Sequence, residues 1–217
     1  MSQYLSIRLF SLIAAIVLLS ACQSAYYAAW EKVGVEKRDI LVDRVEDARE
    51  SQEDAQEQFA SALEQFSSLI NFDGGELQRV YETLSDEYAS SKASAEDVTN
   101  RINSVESVAE ALFDEWESEL DNYSNANLKR DSERQLKDTQ RRYKDMLKAM
   151  RKVERSMSPV LEKLEDNVLY LKHNLNASAV GALQGELKTI TRDVGALIKE
   201  MNAAIAQSDA FIKTIQG

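Results

Sequence analysis

From residue 41 onward, apolar or small side chains return at alternating intervals of three and four positions. The first run is Leu41, Val45, Ala48, Gln52, Ala55, Phe59, Ala62, Phe66 and Leu69. The spacing restarts at Leu77 and passes through Tyr81, Leu84, Tyr88, Ser91, Ala95, Val98, Ile102, Val105, Ala109, Leu112 and Trp116. A third run takes Leu136, Thr139, Tyr143, Met146, Met150, Val153, Met157, Val160 and Leu164, then slips by one residue to Val168, Leu171 and Leu175. The fourth is Val180, Leu183, Leu187, Ile190, Val194, Leu197, Met201, Ala204, Ser208, Phe211 and Ile215. A mean interval of about 3.5 residues is the seam of a supercoiled helix.

The runs are separated by turn-forming clusters at Asn71 to Gly75, Asn122 to Asn125 and Asn174 to Ser178. Each is short enough to fold one helix back on the next. The pattern predicts helices at about 24–70, 76–122, 127–174 and 177–215, packed as an all-α, elongated, antiparallel four-helix bundle, coiled-coil-like and up-down-up-down, after an N-terminal signal helix. Three helices near 47 residues each would be roughly 70 Å long. The pattern leaves open whether the helices close into one bundle or pack as two hairpins. Many seam positions are Ala or Ser, so a slim core is expected. Pro159 removes a backbone N–H and predicts a kink in the third helix; the alternative is a restart, with Ser158 as N-cap and Pro159 in the first turn. Gly181 and Gly185 are spaced for close helix approach in the fourth helix. Residues 22–217 form one domain in this reading.

The segment before the bundle is of another kind. Leu9 to Leu19 is an apolar run preceded by Arg8, the only charged residue among the first 21. That is a signal-peptide pattern, short for a bilayer span. It ends in Leu19-Ser20-Ala21-Cys22, which resembles the bacterial lipobox. The resemblance implies that residues 1–21 are cleaved and that Cys22, the sole cysteine, is acylated. Lipoprotein acyl chains, at about 0.8 kcal/mol per buried methylene, would anchor the chain durably. Gln23 after the cysteine, where Asp would imply inner-membrane retention, implies the periplasmic face of the outer membrane in a Gram-negative cell. Tyr26, Tyr27 and Trp30 follow closely and form either a membrane-interface belt or the packed first turn of the bundle.

Charge then changes the picture of the surface. The 217 residues carry 37 acidic and 26 basic side chains, a net charge of −11. Loss of Arg8 with the signal makes the mature chain −12. Residues 76–122 hold 3 basic against 13 acidic side chains, whereas residues 128–155 hold 11 against 5. The latter include Lys129, Arg130, Arg134, Lys137, Arg141, Arg142, Lys144, Lys148, Arg151 and Lys152. Either these pair with acidic neighbouring helices along the bundle flanks, or they form a stripe for lipid phosphates or another anionic envelope polymer. Nucleic acid is a poor partner for so acidic an exported chain.

Catalytic chemistry is sparse. His173, the only imidazole, sits where a cation suits a helix C-terminus. The Glu-x-x-His pairs of di-iron bundles, a nucleophile turn and a phosphate-binding Gly-rich loop are all missing from the sequence. Met146, Met150 and Met157 fall on the seam and read as core. No enzyme activity, cofactor or metal is expected.

The lipobox, the block Ala-Tyr-Tyr-Ala-Ala-Trp-Glu-Lys-Val-Gly-Val-Glu-Lys-Arg-Asp-Ile-Leu-Val-Asp-Arg-Val at residues 25–45 and the long helical chain behind it resemble a family of proteobacterial lipoproteins catalogued only as a domain of unknown function. The resemblance implies a Gram-negative envelope protein and supplies no activity or binding residue. The expected function is a lipid-anchored, non-enzymatic periplasmic scaffold or adaptor that presents coiled-coil surfaces to envelope proteins or to itself. The alternatives are a bundle that binds or senses a small ligand between its helices, and direct lipid or cell-wall association through the basic stripe.

Overall fold

The computed structural model describes residues 36–70, 77–175 and 177–216. The expectations for the signal segment, Cys22, Tyr26, Tyr27, Trp30, the start of the first helix and the Asn71 to Gly75 turn lie outside the described residues. Within them, the chain forms α1 (Lys37–Ile70), α2 (Leu77–Glu119), a one-turn 3₁₀ helix (Leu120–Asn122), α3 (Ala126–His173) and α4 (Ala177–Gln216). The Asn125 side chain accepts from the backbone N–H groups of Asn127, at 2.9 Å, and Leu128, at 3.3 Å, and so starts α3. At the other end Asn174 leaves the helix at φ −135° while its N–H still donates to the Leu171 carbonyl.

Each helix packs on its sequence neighbours, and α4 returns to α1. The result is one closed ring of four helices, with α1 diagonal to α3. Lys37 at the start of α1 reaches Glu115 near the end of α2 (2.8 Å), and Ser51 donates to Asp97 (2.8 Å), fixing that pair as antiparallel. Trp116 Nε1 donates to Ser132 on α3 (2.8 Å), and Gln140 donates to Glu117 (2.9 Å). Ser156 and Lys152 both engage Glu200 on α4.

The seam is the core. Among its positions with described side chains, α1 buries Leu41, Val45, Ala48, Gln52, Ala55, Phe59, Ala62 and Phe66, alternating small and large layers in its second half. Large side chains here stabilise by roughly 1.5–3 kcal/mol each. Ile40, Val42, Val108, Phe113 and Ile212 are also buried, off the strict seam and all at the end where α1 begins. The core is widest there, around Tyr143, whose ring lies 5.4 Å from that of Phe113 and 6.2 Å from that of Phe211. Burial, reinforced by Glu106 and only partly opposed by Arg151, holds the Tyr143 phenol far above its ordinary value, so it stays protonated.

At Pro159 one alternative falls away, and two other local expectations change. Helix α3 runs unbroken through Pro159, with Ser158 bonded to Glu162 four residues on, so no restart occurs. The register slip after Leu164 is present, and it buries Asn167 as well as Val168; the Asn167 amide is satisfied by the Lys163 carbonyl at 2.6 Å. Leu175, however, is 40% exposed, because α3 has ended and its side chain no longer follows the helical period. Nor do Gly181 and Gly185 mark a close approach: both are exposed, and a Cβ on either would meet nothing within 4 Å. Gly195 is equally open. Gly185→Ala and Gly195→Ala are therefore expected to stabilise the protein by about 0.5–1 kcal/mol each, through backbone entropy alone, which urea unfolding would measure.

Candidate functional site

A seam facing inward places the other heptad positions outward, and eight of the eleven cations between residues 128 and 155 fall on two of them. Arg134, Arg141, Lys148 and Arg155 recur at intervals of seven on the ridge farthest from the core, and all are exposed. Arg130, Lys137, Lys144 and Arg151 recur at the same interval beside them, on the flank toward α2. Together they form a cationic face running roughly 38 Å along the helix.

Part of this face is used internally. Arg151 bridges to Glu106 and Asn103 on α2 and to Glu154 on its own helix; burial works against its charge, but the two carboxylates outweigh it and raise the guanidinium pKa. Lys152 pairs with Glu200 on α4 at 2.9 Å, and Lys129 with Asp121 in the 3₁₀ turn at 2.9 Å. Arg134 and Arg141 pair only within α3, with Asp131 and Asp138, and Arg130 contacts Asn127. Lys137, Arg142, Lys144 and Lys148 make no ion pair among the described residues. Pairing with the acidic neighbouring helices therefore engages Lys129, Arg151 and Lys152 of the ten predicted residues, and the rest of the face is presented to solvent.

Another helix carries the converse pattern, which the count of charges per helix does not show. Asp43, Glu50, Glu57 and Glu64 recur at intervals of seven on the outer ridge of α1, all exposed, with Glu46, Glu53 and Asp54 beside them. The signal was in the sequence as a seven-residue carboxylate repeat. Its position diagonal to the α3 cations required the ring of helices. Lys163 is another omission: it clamps α3 to α4 through Asp193.

That clamp sets an acid limit. The Lys163 ammonium, then Arg192, holds the Asp193 carboxyl below its ordinary range. Burial works against the charge of Glu200, but Ser156 and Lys152 outweigh it and lower that carboxyl as well. A depressed folded-state pKa gives stability that is present above the unfolded value and lost as pH falls through the folded one. The bundle is thus expected to lose part of its α3–α4 stability below about pH 4, and Asp193→Asn should flatten that limb in melting curves taken against pH.

Space for a ligand is open rather than enclosed. The cavity beside Phe66, Leu84, Leu164 and Asn167 holds only about 10 Å³, room for one water at most. A cleft of about 660 Å³ opens at the end where α1 starts, between Lys37, Glu115, Trp116, Asp138, Arg142 and Ile215. His173 is exposed at the end of α3, and Met146, Met150 and Met157 lie in the core. Among the described residues, no three His, Cys, Asp or Glu side chains are grouped to hold a metal ion, and no helix is long and apolar enough to cross a membrane.

A family model described as a protein of unknown function (DUF2959) matches residues 26–215. The chain belongs to the DUF2959 family. The match begins four residues after Cys22 and covers the four described helices of this DUF2959 bundle up to, but not including, the last residue of α4. No curated protein matches the chain, and no solved structure does. For a DUF2959 protein, function has to be argued from the surface.

Proposed function

We propose that the protein is a non-enzymatic scaffold or adaptor of the Gram-negative envelope, anchored to the periplasmic face of the outer membrane by acylated Cys22. The observation that carries this reading is the exposed charge on a closed, filled bundle: repeated cations along α3 that the protein's own helices largely leave unpaired. Such a rod has docking faces along its length and little interior room. Acylation at Cys22 would hold the end where α1 starts near the membrane and let the opposite end project roughly 50–70 Å.

The deciding experiment is photo-crosslinking in cells from Lys144 and Lys148 on α3 and from Asp54 and Glu57 on α1, with Cys22 intact, followed by mass spectrometry. A recurrent protein adduct supports the scaffold. Adducts to lipid alone support the second reading, direct lipid or cell-wall association. That reading is favoured by one specific observation: the α3 cations begin at the end of the bundle where α1 starts, beside the exposed side chains of Tyr123 and Leu128. Cys22→Ala tests the address separately and should stop lipidation and mislocalise the protein under either reading.

A further inference from the structure

The outer ridges of α1 and α3 match each other. Asp43, Glu50, Glu57 and Glu64 form one row; Arg134, Arg141, Lys148 and Arg155 form the other. Both rows have four members, both repeat every seven residues, and both extend roughly 32 Å. A seven-residue interval follows the supercoil of the bundle, so each row stays on one edge of the rod. The helices that carry them are diagonal in the ring, so the rows lie on opposite edges of one molecule and do not meet within it.

We infer that the partner of the cationic face is a second copy of this chain, docked side by side with its α1 carboxylate row against the α3 row. The inference names the partner in the scaffold reading and rests on that reading's exposed charge. The argument is complementarity in spacing as well as in sign. Glu57, Asp43 and Glu64 have no ion pair among the described residues, and Glu50 has only a loose one to Arg49 at 3.9 Å. Across the rods, Lys148 and Arg155 are likewise unpaired, and the Arg134 and Arg141 pairs within α3 are solvent-exposed and exchange at little cost. A shift of seven residues along the rod again sets cation against carboxylate, so the rows specify which faces meet while permitting discrete registers. A lipid or polymer surface fits less well: Asp131, Asp138 and Asp145 lie beside the cations, and the chain as a whole is acidic. A second copy offers anions at the same interval as the cations.

Rows on opposite edges cannot both be satisfied in a two-fold dimer. Each docking leaves one acidic and one basic edge free, so the contact is heterologous and propagates as a row of rods.

The test mixes the full chain at natural isotope abundance with the ¹⁵N-labelled full chain in detergent at low ionic strength, and joins contacting carboxylates and amines with a zero-length carbodiimide. The expected product is a mixed-isotope peptide linking Lys148 or Lys144 to Asp43, Glu50, Glu57 or Glu64. It should be lost in about 1 M salt, where screening acts within about 3 Å. The variant D43K/E50K/E57K/E64K should abolish the product, with helicity by circular dichroism unchanged because these positions face solvent. Adding R134E/R141E/K148E/R155E should restore salt-sensitive association, read by sedimentation velocity. Absence of the salt-sensitive mixed adduct, adducts confined to other faces, or a folded double-row variant that stays monomeric would overturn the inference. A monomer here combined with a recurrent different protein in the cellular crosslinks would overturn self-docking alone and leave the scaffold standing.

Discussion

Val98→Asp is expected to remove most of the stability of the bundle. Val98 is fully buried on the seam in the middle of α2, and an aspartate there would place a carboxylate in the core with no cation beside it. Burying an uncompensated charge costs about 3–5 kcal/mol, against a total of about 5–15 kcal/mol for a domain of ordinary stability. The lost valine packing adds to the cost. Part of the penalty should be relieved on acidification, because a carboxyl that folding disfavours as an anion is protonated more readily in the folded state. Melting curves at pH 7 and pH 5, with exposed Asn100→Asp as the control, would measure both effects. The control should lie within about 0.5 kcal/mol of the parent; a Val98→Asp protein as stable as the parent would refute the inward packing of the α2 seam.

Gln52→Leu should act in the opposite direction, raising stability by about 1–3 kcal/mol. Gln52 is fully buried in the α1 seam, and neither its amide nitrogen nor its amide oxygen has a hydrogen-bond partner. Leucine is close in size and removes two unsatisfied groups. The urea midpoint should rise with an unchanged slope, as expected when stability changes and compactness does not. A polar residue at one seam position is a known means of fixing register in coiled coils at a cost in stability. On that account the more stable Gln52→Leu protein should also lose specificity, visible as a broader set of disulfide pairings between cysteines introduced on α1 and α2.

The helices and their order were legible because the seam repeats persist for nine to twelve members and stop at Asn- and Gly-containing turns. Asn125 illustrates how local the information was: its side chain, by accepting from Asn127 and Leu128, fixes the start of α3 within a residue. What was not legible depends on the neighbours of each helix. Val108, Phe113 and Ile212 are buried because the bundle broadens around Tyr143, and nothing in a strict seven-residue pattern distinguishes them from flank positions. Likewise, Arg151 and Lys144 look equivalent in sequence, yet Arg151 faces Glu106 and Asn103 while Lys144 meets no anion. The closure of the ring, and with it the diagonal placement of α1 and α3, came only from the return of α4 to α1.

That closure also orders events in time. Helix α1 meets α2, α2 meets α3 and α3 meets α4 across short connections, so each of these pairs can assemble from residues near in sequence. Contacts such as Arg49 to Asp209, at 3.8 Å, bring together opposite ends of the chain and carry the largest loop-closure entropy. The contacts between sequence neighbours cost least to close, and the α1–α4 face is expected to seal last. The α1–α4 face is accordingly the place where a partly folded chain would still expose its core, and where a binding factor could intercept it before the ring shuts.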